Sequence, residues 1–134
     1  MNKQDSLKYL ENLGIIFSNY KLVHFANVCH TPSKSVWWFE IPLSKIRENT
    51  NKQLSLVLCN AEKNLIYHLI IPAYFIESNS NIFSIRNQAT GVEAFSFELD
   101  FNSFKDIRPN GSGLSFKDFI HGIFKIKNID FKQL

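Results

Sequence analysis

The sequence has 134 residues, of which 45% are hydrophobic and 20% are charged, and its net charge is +3. This composition excludes a disordered chain, the length leaves no room for a second independent domain, and the small positive charge permits a polyanionic partner without requiring one. No apolar run reaches the roughly 18 residues of a membrane span, and the polar start lacks a secretion signal, so we expect a soluble, cytoplasmic protein without a membrane partner.

The first predicted element is an amphipathic helix over residues 5–14. It has a leucine at every third position on one face, and Gly14 suits its C-terminal stop. Residues 21–29, KLVHFANVC, are rich in apolar and β-branched side chains and predict one strand. A polar, basic loop is expected over residues 30–34, because Pro32 cannot donate to a sheet ladder.

A strand, proline and helix unit occurs twice in this small domain. WWFEIPLSKIREN, residues 37–49, returns thirty residues later as YHLIIPAYFIESN, residues 67–79. Each copy predicts an apolar strand that ends in Ile-Pro, a helix of about two turns and a terminal asparagine. Between them, residues 54–60 and the strand of the second unit predict a hairpin around the polar turn 61–64.

A second hairpin is predicted after the repeat. Residues 82–87 and 92–101 read as strands joined by the turn QATG, in which Gly91 can adopt a positive φ. In the second strand, Phe95, Phe97 and Leu99 alternate with smaller residues, which indicates one core-facing side.

The last predicted element is a closing helix over residues 116–124. Its apolar side chains recur at positions i, i+3, i+4, i+7 and i+8, and Ser115 with Asp118 resembles a capping box. We expect residues 1–134 to form a single domain, in which 127–134 are a tail or a linker to another part of a longer chain. Short strands and helices in a non-alternating order predict an α+β domain built on an antiparallel sheet or a partly open barrel.

The repeated strand, Ile-Pro and helix pattern resembles the small pseudobarrel domains of the plant B-three transcription factors and their prokaryotic relatives, the DNA-recognition domains of restriction endonucleases. The resemblance covers residues 21–126. WWFEIP and FKDIRPNGSGLSFKDFI are also similar to domains attached to modification-dependent restriction enzymes. The resemblance implies a mostly antiparallel β pseudobarrel of about six to seven strands, with short helices at its ends and a closing C-terminal helix.

The resemblance also implies two groove-facing arms, HTPSKSVWW (30–38) and IRNQATG (85–91). Guanidinium and amide side chains suit base edges, and hydroxyls suit bases or phosphates, so the expected base contacts are Arg86, Asn87, Gln88, Thr90 and Ser33. Positively charged side chains suit backbone phosphates, and so does a hydroxyl close to the start of the predicted last helix, where free amides attract anions. The expected phosphate contacts are Lys34, Lys45, Arg47, Lys105, Arg108 and Ser112.

The adjacent residues Trp37 and Trp38 should point to opposite faces of their strand. We expect one to enter the core and the other to be exposed or to lie under a helix. An exposed tryptophan could stack on a base, whereas simple packing is the alternative, and the sequence leaves both open for each residue.

The sequence offers little support for catalysis. The nearest match to a metal-dependent nuclease motif is Asp130 with Lys132, together with Glu98 or Asp100 as a distant acid, and it lies almost at the end of the chain. The histidines lack metal-ligand spacing, and the two cysteines, at 29 and 59, are expected to be reduced thiols. We therefore expect no catalytic residue, no metal and no cofactor in this domain.

Two functions remain as hypotheses. The first is a sequence- or modification-specific module that binds double-stranded DNA, as the targeting domain of a restriction endonuclease whose catalysis resides in an attached or associated nuclease domain. The second is a protein- or small-ligand-binding β-barrel module without DNA binding, for which we expect an exposed apolar patch around Trp37 or Trp38.

Overall fold

The computed structural model has two four-stranded sheets and three short α-helices. It describes residues 3–17, 22–25, 27–31, 34–60, 63–108 and 112–125. For residue 3 and for the described residues within 22–34, only the backbone is described. In chain order the elements are α1 (Lys3–Asn12), β1 (Leu22–Phe25), β2 (Asn27–Thr31), β3 (Lys34–Pro42), α2 (Leu43–Arg47), β4 (Gln53–Asn60), β5 (Leu65–Pro72), α3 (Ala73–Ser78), β6 (Ser84–Asn87), β7 (Glu93–Asp100) and β8 (Ile120–Lys125), with a 3-10 turn at Lys117–Phe119 before β8.

The strands are mostly antiparallel. The first sheet has the order β1-β4-β5-β8 and the second has the order β2-β3-β7-β6. Of the pairings between described strands, β1 with β4 is parallel and the other five are antiparallel. The predicted α+β class and antiparallel pairing are confirmed. Eight strands are described rather than six to seven, and among the described residues no strand pair joins one sheet to the other.

The core lies between the two sheets. Alternate residues of β3 and β7 point into it, and Phe39 stacks on Phe97 with ring centroids 4.9 Å apart. Complete burial of such a side chain contributes about 1.5–3 kcal/mol. The alternation predicted for β7 is confirmed, because its inward side chains are fully buried: Phe95, Phe97 and Leu99.

The repeated units connect the sheets. The first unit leaves the second sheet on β3, forms α2 and enters the first sheet on β4, and the second unit makes the return crossing through β5, α3 and β6. Pro42 and Pro72 end their strands in extended conformation, with φ of −54° and −62°, and Ile46 and Ile76 are buried at matching positions. The predicted repeat is therefore confirmed.

The terminal asparagines of the repeat close both helices in the same way. Asn49 donates its side-chain amide to the Lys45 carbonyl at 2.6 Å, and Asn79 donates to the Phe75 carbonyl at 2.8 Å. Each bond gives a side-chain donor to a carbonyl near a helix C-terminus, where the carbonyls lack backbone donors within the helix. The repeated asparagine is thus a helix-ending device.

We expect Asn79→Ala to lower the free energy of unfolding by about 1 kcal/mol, since it removes this hydrogen bond from the Phe75 carbonyl. Ser78→Ala is the matched control. Its hydroxyl reaches the same carbonyl at 3.3 Å in an exposed position, and its removal should cost clearly less. Urea denaturation of both variants measures the difference, and equal losses would contradict the capping role of Asn79.

The predicted closing helix is wrong. Residues 120–125 form strand β8, which pairs with β5 and alternates in exposure, and Ser115 accepts the amide of Lys117 at 3.2 Å without forming a capping box. The free edge of β5 supplies hydrogen bonds for a strand. Gly122 suits this strand, because a Cβ there would lie 2.8 Å from the Phe124 ring. A local apolar spacing typical of a helix is overridden by these pairings.

Three further predictions need adjustment. The strand predicted at 21–29 is two strands, β1 in the first sheet and β2 in the second. The helices α2 and α3 contact each other, so they lie together at one end instead of at separate ends. The first helix forms two residues earlier than predicted, and Leu13 is 51% exposed, because α1 ends at Asn12 and Gly14 adopts a φ of +98°.

Helix α1 packs on the outer side of the first sheet. Leu10 is fully buried in a small cluster with Val57, Cys59 and Ile66. Burial raises the pKa of the Cys59 thiol, which lies 3.4 Å from the Ser6 hydroxyl, so this free cysteine stays protonated. The side chain of Cys29 lies outside the described residues. Helices in the described ranges are too short to cross a membrane.

Candidate nucleic-acid interface

The molecule has two structurally distinct ends. The helix end comprises residues 43–53, 72–78 and 86–93, and the described part of the loop end comprises residues 31, 34, 60, 63–65, 100–105 and 125. Strands β3, β4, β5 and β7 run between them. At the loop end the sheets are tied together by the Trp37 indole, whose Nε1 donates to the Cys59 carbonyl at 2.9 Å.

The two predicted arms lie at opposite ends of the second sheet. The turn after β6 is at the helix end, whereas the connection between β2 and β3 is at the loop end. Nine residues of β3 separate them, which corresponds to about 26 Å of extended strand. The structure therefore does not bring all the predicted contacts into one cluster.

The helix end holds six of the predicted DNA contacts. Its charges are mixed, because Lys45, Arg47 and Lys52 alternate with three carboxylates, Glu48, Glu77 and Glu93. A cleft of about 400 Å³ lies between α2 and the turn before β7, where Gly91 has a φ of +84°. The predicted contacts at this end are Arg86, Asn87, Gln88, Thr90, Lys45 and Arg47.

The loop end is more positive. Lys63, Lys105 and Lys125 are exposed there, and Lys34 begins β3. Lys63 was not predicted as a contact, and it precedes the second repeated unit by four residues, as Ser33 precedes the first in the sequence. Ser33 and the side chain of Lys34 lie outside the described residues.

Two described carboxylates near the loop end, Asp100 and Glu98, are already engaged. Asp100 accepts the backbone amides of Asn102 and Ser103 and the Ser103 hydroxyl, all within 3.0 Å. These bonds, foremost that from the Ser103 amide, hold the pKa of Asp100 below its ordinary value. Glu98 is 3.5 Å from Arg108 and so offsets its charge. Among the described residues, the lysines are therefore the available charges at this end.

The expected phosphate contact of Ser112 loses its physical basis. The helix whose free amides were to attract phosphate is absent, and Ser112 instead fixes its own loop. Its amide and hydroxyl both donate to Asp106 at 3.2 Å, and its hydroxyl accepts the Leu114 amide at 3.1 Å. Asp106 is almost completely buried and also accepts the Glu98 amide. This set of bonds holds the loop against β7.

The side chains of Trp37 and Trp38 point to opposite faces of β3, as expected for adjacent strand residues. Trp37 is fully buried among Tyr67, Phe101 and Phe104, so it is the member of the pair that enters the core, and no face of its ring is open to a base in this conformation. Trp38 is partly exposed on the outer face of the second sheet.

Arg86 is placed beside Trp38. Its guanidinium carbon lies 5.8 Å from the Trp38 ring centroid, and its Nε lies 3.3 Å from the Glu40 carboxylate. Both distances are within the range of cation–π and ionic attraction. The charge of Arg86 is thus partly neutralised, and its side chain lies along the outer face of the sheet. The sequence predicted Arg86 as a base contact.

Sequence reasoning missed three residues. Glu40 and Ser96 lie on the outer face of the second sheet, and Lys63 lies at the loop end. A charged residue in the middle of the apolar run VWWFEI was the available signal for Glu40. The alternation of β7 placed Ser96 opposite the core without indicating its burial. Nothing in the sequence indicated that Lys63 shares an end with Lys105.

A serine and a histidine meet on the outer side of the first sheet. The Ser55 hydroxyl lies 2.5 Å from His68 Nε2, the pair arrangement of a nucleophile and base. Neither side chain has exposed area, so a substrate cannot reach the pair in this conformation. We assign it to the packing of β4 against β5.

The remaining chemistry is sparse in the described part of the chain. No three histidine, cysteine, aspartate or glutamate side chains are grouped to hold a metal ion within those ranges. Asp130 and Lys132 of the nuclease-like match lie outside the described residues, and Glu98 and Asp100 have the structural partners given above. Comparison of the chain with protein-family models, curated proteins and solved structures gave no match.

Proposed function

We propose that the protein is a DNA-binding domain whose two sheets form the halves of a pseudobarrel, and that the loop end contacts the backbone of duplex DNA. The observation that carries the proposal is the clustering of exposed lysines at the end where both repeated units begin. Recognition would reside in this domain, and any cleavage in an attached or associated nuclease domain.

The chain path supports the pseudobarrel. Both repeated units cross between the sheets, in opposite directions, and the chain crosses twice more, between β1 and β2 and between β7 and β8. Each crossing limits how far the two sheets can separate, which is what the two halves of a pseudobarrel require.

The distribution of charge supports the choice of the loop end. Each lysine that approaches a phosphate releases condensed counterions, which favours binding at low salt. Carboxylates near a phosphate would oppose this gain, and the helix end carries three of them among its cations. At the loop end the two described carboxylates, Asp100 and Glu98, are bonded to the turn and paired with Arg108, respectively, and Glu62 lies outside the described residues.

The proposal predicts a specific loss of salt dependence. In the triple variant Lys63→Ala, Lys105→Ala and Lys125→Ala, the slope of log affinity against log salt should fall in magnitude by about 3, because about 0.9 unit is lost per phosphate contact. The measurement is fluorescence anisotropy with random duplexes, with and without methylated cytosine or adenine, at about 50 and 200 mM salt.

The helix end provides the matched control. Lys45→Ala, Arg47→Ala and Lys52→Ala remove the same total charge from that end and should leave the slope almost unchanged. A loss confined to this control would move the interface to the helix end. Flat traces for the unaltered protein at both salt concentrations would overturn DNA binding itself.

The alternative of a protein- or small-ligand-binding module is less well supported. Its expected apolar patch was to surround one of the adjacent tryptophans, and Trp37 is fully buried. The outer ring, Trp38, is surrounded by charged groups, namely Arg86 and Glu40.

A further inference from the structure

Four side chains on the outer face of the second sheet form what we term the Trp38 site: Trp38, Glu40, Arg86 and Ser96. Trp38 and Glu40 are two residues apart on β3 and therefore share a face. Ser96 on β7 is directly opposite Glu40 in the pairing register, and Arg86 reaches over from β6. The site is built on strands and does not include the loop-end lysines.

Two buried polar atoms of this site lack a hydrogen-bond partner in the described part of the chain. The Ser96 hydroxyl is fully buried, and the Glu40 side chain is only 10% exposed with its Oε2 buried. Arg86 Nε lies 3.3 Å from Oε2 and supplies charge, but without hydrogen-bond geometry. Leaving adjacent buried polar atoms unsatisfied is costly, which points to a ligand as their missing partner.

The Trp38 ring supplies a flat surface beside these atoms. Trp38 is partly exposed, and the guanidinium of Arg86 lies over its ring. The Arg86 side chain is 49% exposed and extends from an edge strand, so it can rotate away from the ring. Ligand binding requires this rotation, because Glu40 Oε2 and the Ser96 hydroxyl are buried in the conformation described. An aromatic platform beside a carboxylate and a hydroxyl matches a planar heteroaromatic ring that carries an amino group.

We propose that the Trp38 site binds a nucleobase bearing an exocyclic amino group. The base stacks on Trp38, its amino group donates to the Glu40 carboxylate, and the Ser96 hydroxyl bonds to a neighbouring ring atom. Glu40 selects the amino group, because a keto oxygen at the same position would face the carboxylate as a second acceptor.

The test compares cytosine with uracil, which differ at this position by an amino group and a keto oxygen. The intact protein is titrated with CMP and UMP, and with DNA oligonucleotides that carry one unpaired cytosine or uracil, while Trp38 fluorescence is followed. The cytosine ligand should bind at least about 10-fold more tightly than its uracil counterpart. Trp37 is buried and should contribute a constant signal.

Variants separate ligand binding from packing. Ser96→Ala should weaken cytosine binding about 5-fold while leaving the urea midpoint unchanged or higher, since it removes an unsatisfied buried hydroxyl. Glu40→Gln should abolish the preference for cytosine. Trp38→Leu, which lacks the fluorescent reporter and is followed by isothermal titration calorimetry, should abolish binding. Tyr74→Leu, an aromatic 67% exposed at the helix end, is the matched control and should bind normally.

The two ligand forms identify the source of the base. Binding of CMP assigns the site to free nucleotides, and binding of the unpaired cytosine in DNA alone assigns it to a DNA base. Equal binding of cytosine and uracil, binding of neither in both forms, or a Ser96→Ala variant with unaltered affinity would each overturn the proposal. Because no loop-end lysine is involved, this result is independent of the salt-slope measurement.

Discussion

Replacing Trp37 with alanine is expected to lower the free energy of unfolding by about 5 kcal/mol. The side chain is fully buried and its ring lies 4.5 Å from that of Phe101 and 5.3 Å from that of Phe104, measured between centroids. Its loss leaves a large cavity and removes the hydrogen bond to the Cys59 carbonyl, which ties β3 to β4. Since small domains are stable by about 5–15 kcal/mol, a substantial unfolded fraction is expected.

Two companion variants identify the source of this loss. Trp37→Phe keeps most of the ring packing but cannot donate to Cys59, and it should cost about 2 kcal/mol. Trp38→Ala removes a partly exposed ring and its contact with Arg86, and it should cost about 1 kcal/mol. Urea denaturation followed by circular dichroism measures all three. Similar losses for Trp37→Ala and Trp38→Ala would contradict the inward and outward assignment of the pair.

Acidification is expected to destabilise the protein through His68. Its ring is fully buried, and its Nε2 lies 2.5 Å from the Ser55 hydroxyl oxygen. The rings of Phe17 and His121 contact it edge-on. Burial, and secondly the charge of His121, lowers the pKa of His68 from 6.5 to about 4. The folded protein therefore favours neutral His68.

The direction of the effect follows from proton binding. Between pH 6.5 and about 4 the unfolded chain binds a proton at His68 that the folded protein does not, so the free energy of unfolding falls as pH falls. The contribution is complete above pH 6.5, and its loss amounts to about 3 kcal/mol over this window.

His68→Gln should remove most of this pH dependence. Urea unfolding at several pH values across the window, compared with the unaltered protein, provides the measurement. His121→Gln should retain it but raise the pKa of His68 through loss of the neighbouring charge. Asp100 affects a lower pH range: because its pKa is lowered in the folded protein, its carboxylate contributes stability above pH 3.8, and this contribution is lost as the pH falls below 3.8. An identical pH profile in His68→Gln would contradict the assignment.

Local signals in the sequence predicted most elements of the fold. The Ile-Pro steps, the repeated asparagines and Gly91 act through φ restriction, side-chain capping and positive φ, which depend on neighbours a few residues away. Strands β7 and β5 were likewise predicted, β7 from the alternation of large and small side chains and β5 from its β-branched residues. These features are independent of which sheet a strand joins.

The candidate sites were less predictable. The sequence suggested Arg86 and Trp38 as DNA contacts, but their proximity depends on β6 and β3 both flanking β7. The partner of Arg86, Glu40, lies 46 positions away in the chain, and such pairings depend on strand order rather than on local composition. The opposite placement of the 30–38 and 85–91 segments also required the register of β3.

The sequence by itself determined the α+β class, the two strand, proline and helix units, and a capped end for each helix, because dihedral limits and short-range hydrogen bonds suffice for these. Tertiary structure alone decided that residues 120–125 are a strand, because the hydrogen-bonding edge of β5 outweighs a helical apolar spacing. It also decided which lysines share the loop end and which polar groups share a face with Trp38, since these groups are brought together only when the crossings between sheets set the strand order.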